Sequence, residues 1–342
     1  REKLSRELYT QLIGPVIEKL RGVKKLIIIP DGASYYLPFG LLKNPGGKYF
    51  FETHSHRLIH SAIVWNAIMK RPSSKASLPL LAVGNPVYAR GHTDTGAKGV
   101  RGMRRAMKGG IPGELNILNR NGSNGVPLSI LEFGNLPGTG EEIEILSRIA
   151  YKKPARGNRH CLTGLNASED ILRPMGEKKD LRKYRILHFA VHGLFVEGNP
   201  AMNALVLSRP HVARGLNSYG SYVKQHGPMK EDGFLRLGEV RSLGLDADLV
   251  VMSACETSLG IETAGEGMVG LPQAFLIGGA RSVIASLWPV DDEAAGILME
   301  ELYKNMLKKN MKPDEALREA QLSLREEYSD PYYWGAFVQY GK

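Results

Sequence analysis

Two side chains in this chain have the types and spacing for covalent chemistry, His192 and Cys255. Each closes a short apolar run: residues 186–191 lead into His192-Gly193, and residues 249–252 lead into Ser253-Ala254-Cys255-Glu256-Thr257. Such runs read as strands buried on both faces, the pattern of a parallel sheet. In open α/β sheets chemistry gathers at the carboxyl ends of the strands. Residues 63 apart in sequence can therefore meet at one edge. A thiol beside an imidazole is an activated nucleophile. The imidazole takes the thiol proton, the thiolate attacks a carbonyl, and the imidazolium protonates the leaving amine. The backbone N–H groups of Gly193 and Cys255 are the candidate oxyanion hole.

Taken singly, each residue has a plainer reading. A cysteine at a strand end is more often buried filler than a nucleophile, and a lone strand-end histidine is more often structural. Their placement on successive strands, with only Ser253 and Ala254 crowding the thiol, turns the reading towards function. His188 stands four residues before His192, a metal spacing on a helix, but its segment reads as a strand and no H-E-x-x-H is present. It is expected in the core or in support of the site. Gly265-Glu266-Gly267-Met268-Val269-Gly270 matches G-x-G-x-x-G. Its first glycine does not directly follow a strand, as a dinucleotide turn requires. These glycines are expected to let a loop pack beside the nucleophile. Trp288-Pro289-Val290-Asp291-Asp292 ends a further strand. One of its two acids suffices to cap the next helix, and the other could face the cleft and select a basic side chain.

The elements that must position these residues alternate β and α. Residues 2–20 have helical spacing, 26–29 are a short apolar run stopped by Pro30-Asp31-Gly32, and 60–69 are weakly helical. Residues 71–74 look like a linker. Strands are expected at 80–83, 281–287 and 334–340, besides the two that lead into the dyad. Helices are expected at 139–150, 168–175, 272–276, 291–307 and 314–326, with Thr139 or Gly140 capping the first and Ser168 the second. That alternation predicts a mostly parallel sheet. Residues 87–135 are too long for an ordinary connection and read as an insertion, and 209–233 read as irregular.

The 342 residues suffice for one or two domains, and 43% hydrophobic with 23% charged residues is ordinary for a soluble globular protein. No apolar run reaches the roughly 18 residues of a membrane span, and no secretory segment opens the chain. It begins at Arg1 rather than Met, so an upstream domain or targeting segment could be missing. The two cysteines, Cys161 and Cys255, exclude a disulfide framework and a cysteine-based zinc site. They suit a reducing cytoplasm, and Cys161 reads as a small buried residue. The net charge of +10 is concentrated: between Arg90 and Gly110 lie six Lys/Arg, six glycines and one acid, Asp94. No aromatic residue stands there to stack on bases, so nucleic acid is a partner only indirectly if at all.

Residues 187–193 and 247–257 resemble the CHAT family, caspase-like peptidases often attached to tetratricopeptide repeats, and more distantly separase and caspases. Residues 26–32 with Leu37-Pro38-Phe39, then Gly84-Asn85-Pro86, Leu136-Pro137-Gly138-Thr139, 265–267, 279–283 and 286–292, complete the resemblance along nearly the whole chain. It departs from the family in the long insertion and at residues 54–63. The resemblance implies an α/β, caspase-like three-layer sandwich with a mostly parallel central sheet. Residues 1–77 would be a smaller amino-terminal αβ segment, pseudo-protease-like, and 78–342 the catalytic domain, with an insertion at about 88–135. It places the dyad on His192 and Cys255. It makes Asp292, or else Asp291, the reader of a basic P1 residue, with Glu256 among the substrate-binding carboxylates.

The implied activity is that of a cytoplasmic cysteine endopeptidase cleaving a protein substrate after Arg or Lys, with no cofactor, no metal and no membrane. It would stay latent until an upstream tetratricopeptide-repeat region or an activating partner relieves it, in a setting such as bacterial defence or programmed cell death. Arg104-Arg105 would then be a place for self-cleavage. Two rivals stand beside it: a non-catalytic regulatory scaffold with an occluded dyad, and an Asp-specific caspase-like protease.

Overall fold

The computed structural model describes residues 2–88, 133–194, 200–209, 218–253, 261–263 and 267–342. The strands in chain order are β1 (Lys25–Ile28), β2 (Ser55–Leu58), β3 (Leu78–Gly84), β4 (Cys161–Thr163), β5 (Tyr184–Ala190), β6 (His192–Leu194) and β7 (Ala204–Val206). They continue with β8 (Phe234–Arg236), β9 (Leu249–Met252), β10 (Ile261–Thr263), β11 (Gly267–Val269), β12 (Ser282–Ser286) and β13 (Phe337–Gly341). The α-helices are α1 (Glu2–Leu12), α2 (Phe50–Thr53), α3 (Ala62–Met69), α4 (Pro137–Tyr151), α5 (Glu169–Glu177) and α6 (Tyr219–His226). After them come α7 (Leu237–Ser242), α8 (Leu271–Ile277), α9 (Asp292–Leu307), α10 (Pro313–Glu327) and α11 (Pro331–Trp334).

Eight strands form one sheet in the order β1-β2-β13-β12-β9-β5-β3-β4, parallel throughout except for the β12–β13 pair. Successive side chains of a strand point to opposite faces, and here both faces are covered. Leu80, Ala82, Ile186, Leu249, Val251 and Ile284 pack with α4, α9, α10 and α11. Leu81, Val83, Leu187, Phe189, Val250, Met252 and Val283 pack with α3, α5, α7 and α8. The result is a three-layer α/β sandwich, as the resemblance implies, around the mostly parallel sheet that the βαβ alternation predicts. β1 and β2, from the amino-terminal 77 residues, extend the same sheet.

Several local expectations change. The helical spacing of residues 2–20 breaks after Leu12, and Gly14–Leu20 is a 3-10 helix with Pro15 at its start. A proline has no N–H for a continuing α-helix and its ring clashes with the preceding turn. Thr139 does not cap α4, which starts earlier: its Oγ1 donates to the Leu136 carbonyl at 2.7 Å and accepts from the Asn85 N–H at 3.0 Å. Ser168 is the N-cap residue of α5, but its hydroxyl meets Tyr222 Oη at 3.3 Å instead of the helix. The last strand starts at Phe337, because Asp330 caps the short α11 ahead of it through Tyr332 N. Residues 71–74 are tied down rather than slack. Arg71 donates to the Leu276 and Ala280 carbonyls, and Arg281 Nε to the Pro72 carbonyl at 3.0 Å. Within 209–233, α6 is regular. The insertion lies almost entirely outside the described residues, Arg104 and Arg105 included. Cys161 is buried, as expected, and burial pushes its thiol up.

Glu169 opens α5 almost fully buried, 1% exposed, and accepts the Gly233 N–H at 2.7 Å. Its carboxylate lies within 4.8 Å of those of Glu231 and Glu239. Burial first, and then the charges of Glu239 and Asp232, push its pKa up from 4.5 to about 8. The folded chain therefore holds a proton that the unfolded chain releases above its own carboxylate pKa. The stabilisation is complete below the unfolded value and fades as pH rises through about 8. Glu169→Gln keeps an acceptor for Gly233 but cannot ionise. Urea unfolding should show it gaining on the wild type between pH 5 and pH 9, by an amount on the order of a few kcal/mol. Parallel pH profiles for the two proteins would refute this.

Candidate functional site

β5 ends at Ala190, and after Val191 the chain turns into β6, which His192 opens. His192 pairs with Val206 of β7, and β7 with β8, in a small antiparallel sheet at the carboxyl end of β5. This seat fixes the imidazole from several sides. Its backbone N–H donates to Tyr88 Oη at 3.0 Å, and that hydroxyl donates onward to the Val206 carbonyl at 2.6 Å. The ring packs against Tyr88 and Phe133, with centroids 4.8 and 5.6 Å away. Burial raises the Tyr88 phenol far above its usual range, so it stays a donor.

The His192 side chain is itself buried, and Nε2 lies 2.7 Å from the Gly134 carbonyl. A carbonyl only accepts, so Nε2 carries the proton and Nδ1 is the basic nitrogen. Burial lowers the pKa, against the opposing effect of the Gly134 bond. The resting imidazole is neutral, the state a general base needs. Gly193 follows in β6, opposite Leu205.

The partner strand is adjacent. β9 pairs with β5 in parallel, placing Met252 beside Phe189, and the Ser253 N–H donates to the Phe189 carbonyl at 2.9 Å. The described chain reaches Ser253 at this edge. Cys255 and Glu256 lie outside the described residues, as does Gly265-Glu266 of the glycine motif.

Residues that the sequence did not bring forward surround His188. It is fully buried on the α4–α9 face, and its two nitrogens meet different groups. Tyr303 Oη of α9 lies 3.1 Å from Nδ1, and Glu142 Oε1 of α4 lies 2.9 Å from Nε2. The latter approach is close but poorly aligned for a hydrogen bond, so it acts mainly as a polar contact. The other carboxylate oxygen, Oε2, accepts from Ser253 Oγ at 3.2 Å. Burial and the Glu142 charge raise the Tyr303 phenol well above its usual range, so it remains a donor. A buried line, Tyr303–His188–Glu142–Ser253, thus runs from the helical layer to the residue two before Cys255. Only a Glu three positions into a predicted helix and a serine beside the candidate thiol hinted at it.

The two acids after β12 separate cleanly. Asp291 is the N-cap of α9 and accepts from Glu293 N at 3.2 Å and Ala294 N at 3.4 Å. Asp292 is exposed on the first turn, beside the start of α4. A Cβ on Gly138 would stand 3.3 Å from the Asp292 Cβ. Arg209, unremarked in the sequence, is 1% exposed, and its guanidinium lies 5.6 Å from the Phe133 ring and 5.0 Å from that of Phe234.

The CHAT domain profile matches residues 2–342. The chain belongs to the CHAT domain family. Its relatives include tetratricopeptide repeat protein 28 of Homo sapiens and of Mus musculus, each 25% identical over 365 aligned residues and 98% of this chain. The chain spans 13% of the length of these relatives. Similar solved structures include separase in the Saccharomyces cerevisiae separase–securin complex (TM-score 0.49, 15% identity, 98% of this chain and 17% of that one). Another is the Arg-specific cysteine proteinase gingipain R (TM-score 0.48, 9% identity, 100% and 66%). Among the described residues of this CHAT domain, no helix is long and apolar enough to cross a membrane.

Removing one member of a buried polar pair leaves the other without compensation. In this CHAT domain Glu142→Ala and Tyr303→Phe are each expected to cost about 1–3 kcal/mol in urea unfolding at pH 7. A loss below about 1 kcal/mol for Glu142→Ala would mean that His188 does not depend on it.

Proposed function

We propose that this CHAT domain is a cysteine endopeptidase that cleaves a protein substrate after Arg or Lys, with Cys255 as nucleophile and His192 as acid and base. The observation that carries the reading is His192 itself: a buried neutral imidazole, its proton held on Nε2 by the Gly134 carbonyl, at the edge where β9 delivers Ser253. Nδ1 takes the Cys255 proton, and sulfur adds to the scissile carbonyl. Donors at Gly193 and Cys255 stabilise the oxyanion. The imidazolium then protonates the leaving amine as the C–N bond breaks. Water, deprotonated by His192, hydrolyses the thioester and restores the thiol. Asp292, exposed on the first turn of α9 beside the start of α4, supports a basic P1 preference. Glu256 is the further acidic candidate beside the thiol. Control by a tetratricopeptide-repeat region is supported by the name of the relatives, of which this chain matches a fraction.

A preference for acidic P1 residues is the second reading, because Arg209 sits behind Phe133, on which His192 also packs. Its burial and its stacking on two rings weigh against contact with a substrate.

Two irreversible peptide probes, with Arg or Asp at P1, separate the readings when applied to this chain and to Cys255→Ala, with mass mapping of the adduct. The Arg probe is expected to label Cys255, the Asp probe to leave it unlabelled, and Cys255→Ala to abolish labelling. Asp292→Asn should slow Arg labelling by about tenfold or more, the worth of one charge-assisted hydrogen bond. An Asp-selective label would favour the second reading. Silence towards both would favour a scaffold whose dyad is occluded.

A further inference from the structure

At the end of the sheet away from His192 lies a groove of about 910 Å³. It opens beneath the amino-terminal residues of β5, β9 and β12, between α3 and the turn joining α9 to α10. Its lining has two chemistries. Trp65, Met69, Met306 and Met311 supply flexible and aromatic apolar surface. Met69 is 44% exposed, an open apolar side chain beside an indole. Six cationic side chains also line the groove, against two carboxylates.

The cations are not equivalent. Lys25 is bound to Asp314 and Glu315, Arg185 to Asp248, and Arg281 to Asp246. Arg57 lies instead over the Trp65 ring at 5.5 Å, so its guanidinium and the indole present one composite surface. Lys312 is exposed at the start of α10, and Lys342 lies where β13 ends. Both carboxylates of the groove are thus already engaged, while Arg57, Lys312 and Lys342 add positive charge around an apolar floor.

We infer that this groove docks an acidic peptide segment of a partner protein, with apolar side chains on the Trp65–methionine floor and carboxylates on Arg57, Lys312 and Lys342. Charge complementarity selects the sign of the partner, and methionine surfaces repack around unlike apolar side chains. A bare polyanion would use the cations but leave the floor uncovered. The surface lies at the opposite ends of the strands that position His192, so docking is separate from the proposed catalysis and does not depend on it.

Trp65 supplies a signal. The full chain is titrated with a sixteen-residue peptide of alternating Leu-Leu and Glu-Glu pairs, its Leu-Leu/Lys-Lys counterpart and poly-Glu, each followed by tryptophan fluorescence and calorimetry at 50 and 200 mM salt. The expected result is saturable binding of the Leu/Glu peptide with a shifted emission. Its affinity should fall at least tenfold in the double variant Arg57→Glu/Lys312→Glu and severalfold at the higher salt. Trp65→Phe should remove the emission change while calorimetry still reports binding. Circular dichroism melting shows that the variants fold. Equal binding of poly-Glu would overturn the peptide assignment in favour of a plain anion patch. Equal binding of the Lys peptide, or of the Leu/Glu peptide to the double variant, would overturn the role of charge. Absence of binding would overturn the proposal.

Discussion

The parallel pairing of β5 with β9 is the constraint on which the rest of the candidate site depends. It places Phe189 beside Met252 and ties the Ser253 N–H to the Phe189 carbonyl, so the chain after each strand leaves at the same edge. The pairing persists because both strands are apolar on both faces and covered by helices on each. Neighbouring turns must also come close enough to seal it. Gly279 precedes β12 with φ +118°, and a Cβ there would stand 2.1 Å from the Leu245 carbonyl oxygen. Only glycine accommodates both that backbone and that approach. Gly84, at the end of β3, does the same for α4: a Cβ on it would meet Ile143 Cγ1 at 2.7 Å. The Asn85–Thr139 contact then anchors the start of α4, the helix that carries Glu142 into the site.

Two histidines four residues apart on one continuous segment show how position sets chemistry. His188 alternates onto the α4–α9 face and is held by Tyr303 and Glu142. His192 lies past the turn, in the small β6–β7–β8 sheet, with a carbonyl rather than a carboxylate as its partner. Burial against aromatic rings disfavours the imidazolium of His192. The basic nitrogen therefore sits on His192, and the fixed polar line sits beneath it on His188.

How much of this was legible in the sequence varied with burial. The runs in β3, β5, β9 and β12 stood out because strands covered on both faces are uninterrupted in their apolarity. β2 carries a histidine and an arginine in its four residues and shows no such run, so no strand stood out there although Ser55–Leu58 joins the sheet. Caps were half legible. Asp291-Asp292 announced a helix start, but which acid bonded the helix was decided by geometry. Thr139 looked like a cap and instead fastens α4 to β3. The partners of His188 were the least legible. Glu142 and Tyr303 are 46 and 115 residues from it, and no local spacing links residues on different helices across a sheet face.

The carbonyl partner of His192 also bears on how a protease built this way would rest. A carbonyl dipole stabilises an imidazolium less than a full negative charge does, and desolvation opposes the charge further. The imidazole of the proposed dyad would therefore rest neutral. Forming the thiolate would cost free energy until something nearby favours the charges. A substrate does so on arrival: its carbonyl receives the sulfur, and the charge moves to an oxygen facing backbone donors. Under the proposed activity, reactivity would then follow occupancy of the site rather than the titration of a free thiol. Under that proposal the burial that lowers the His192 pKa would act alongside control by a tetratricopeptide-repeat region, each raising the cost of forming the thiolate in the empty site.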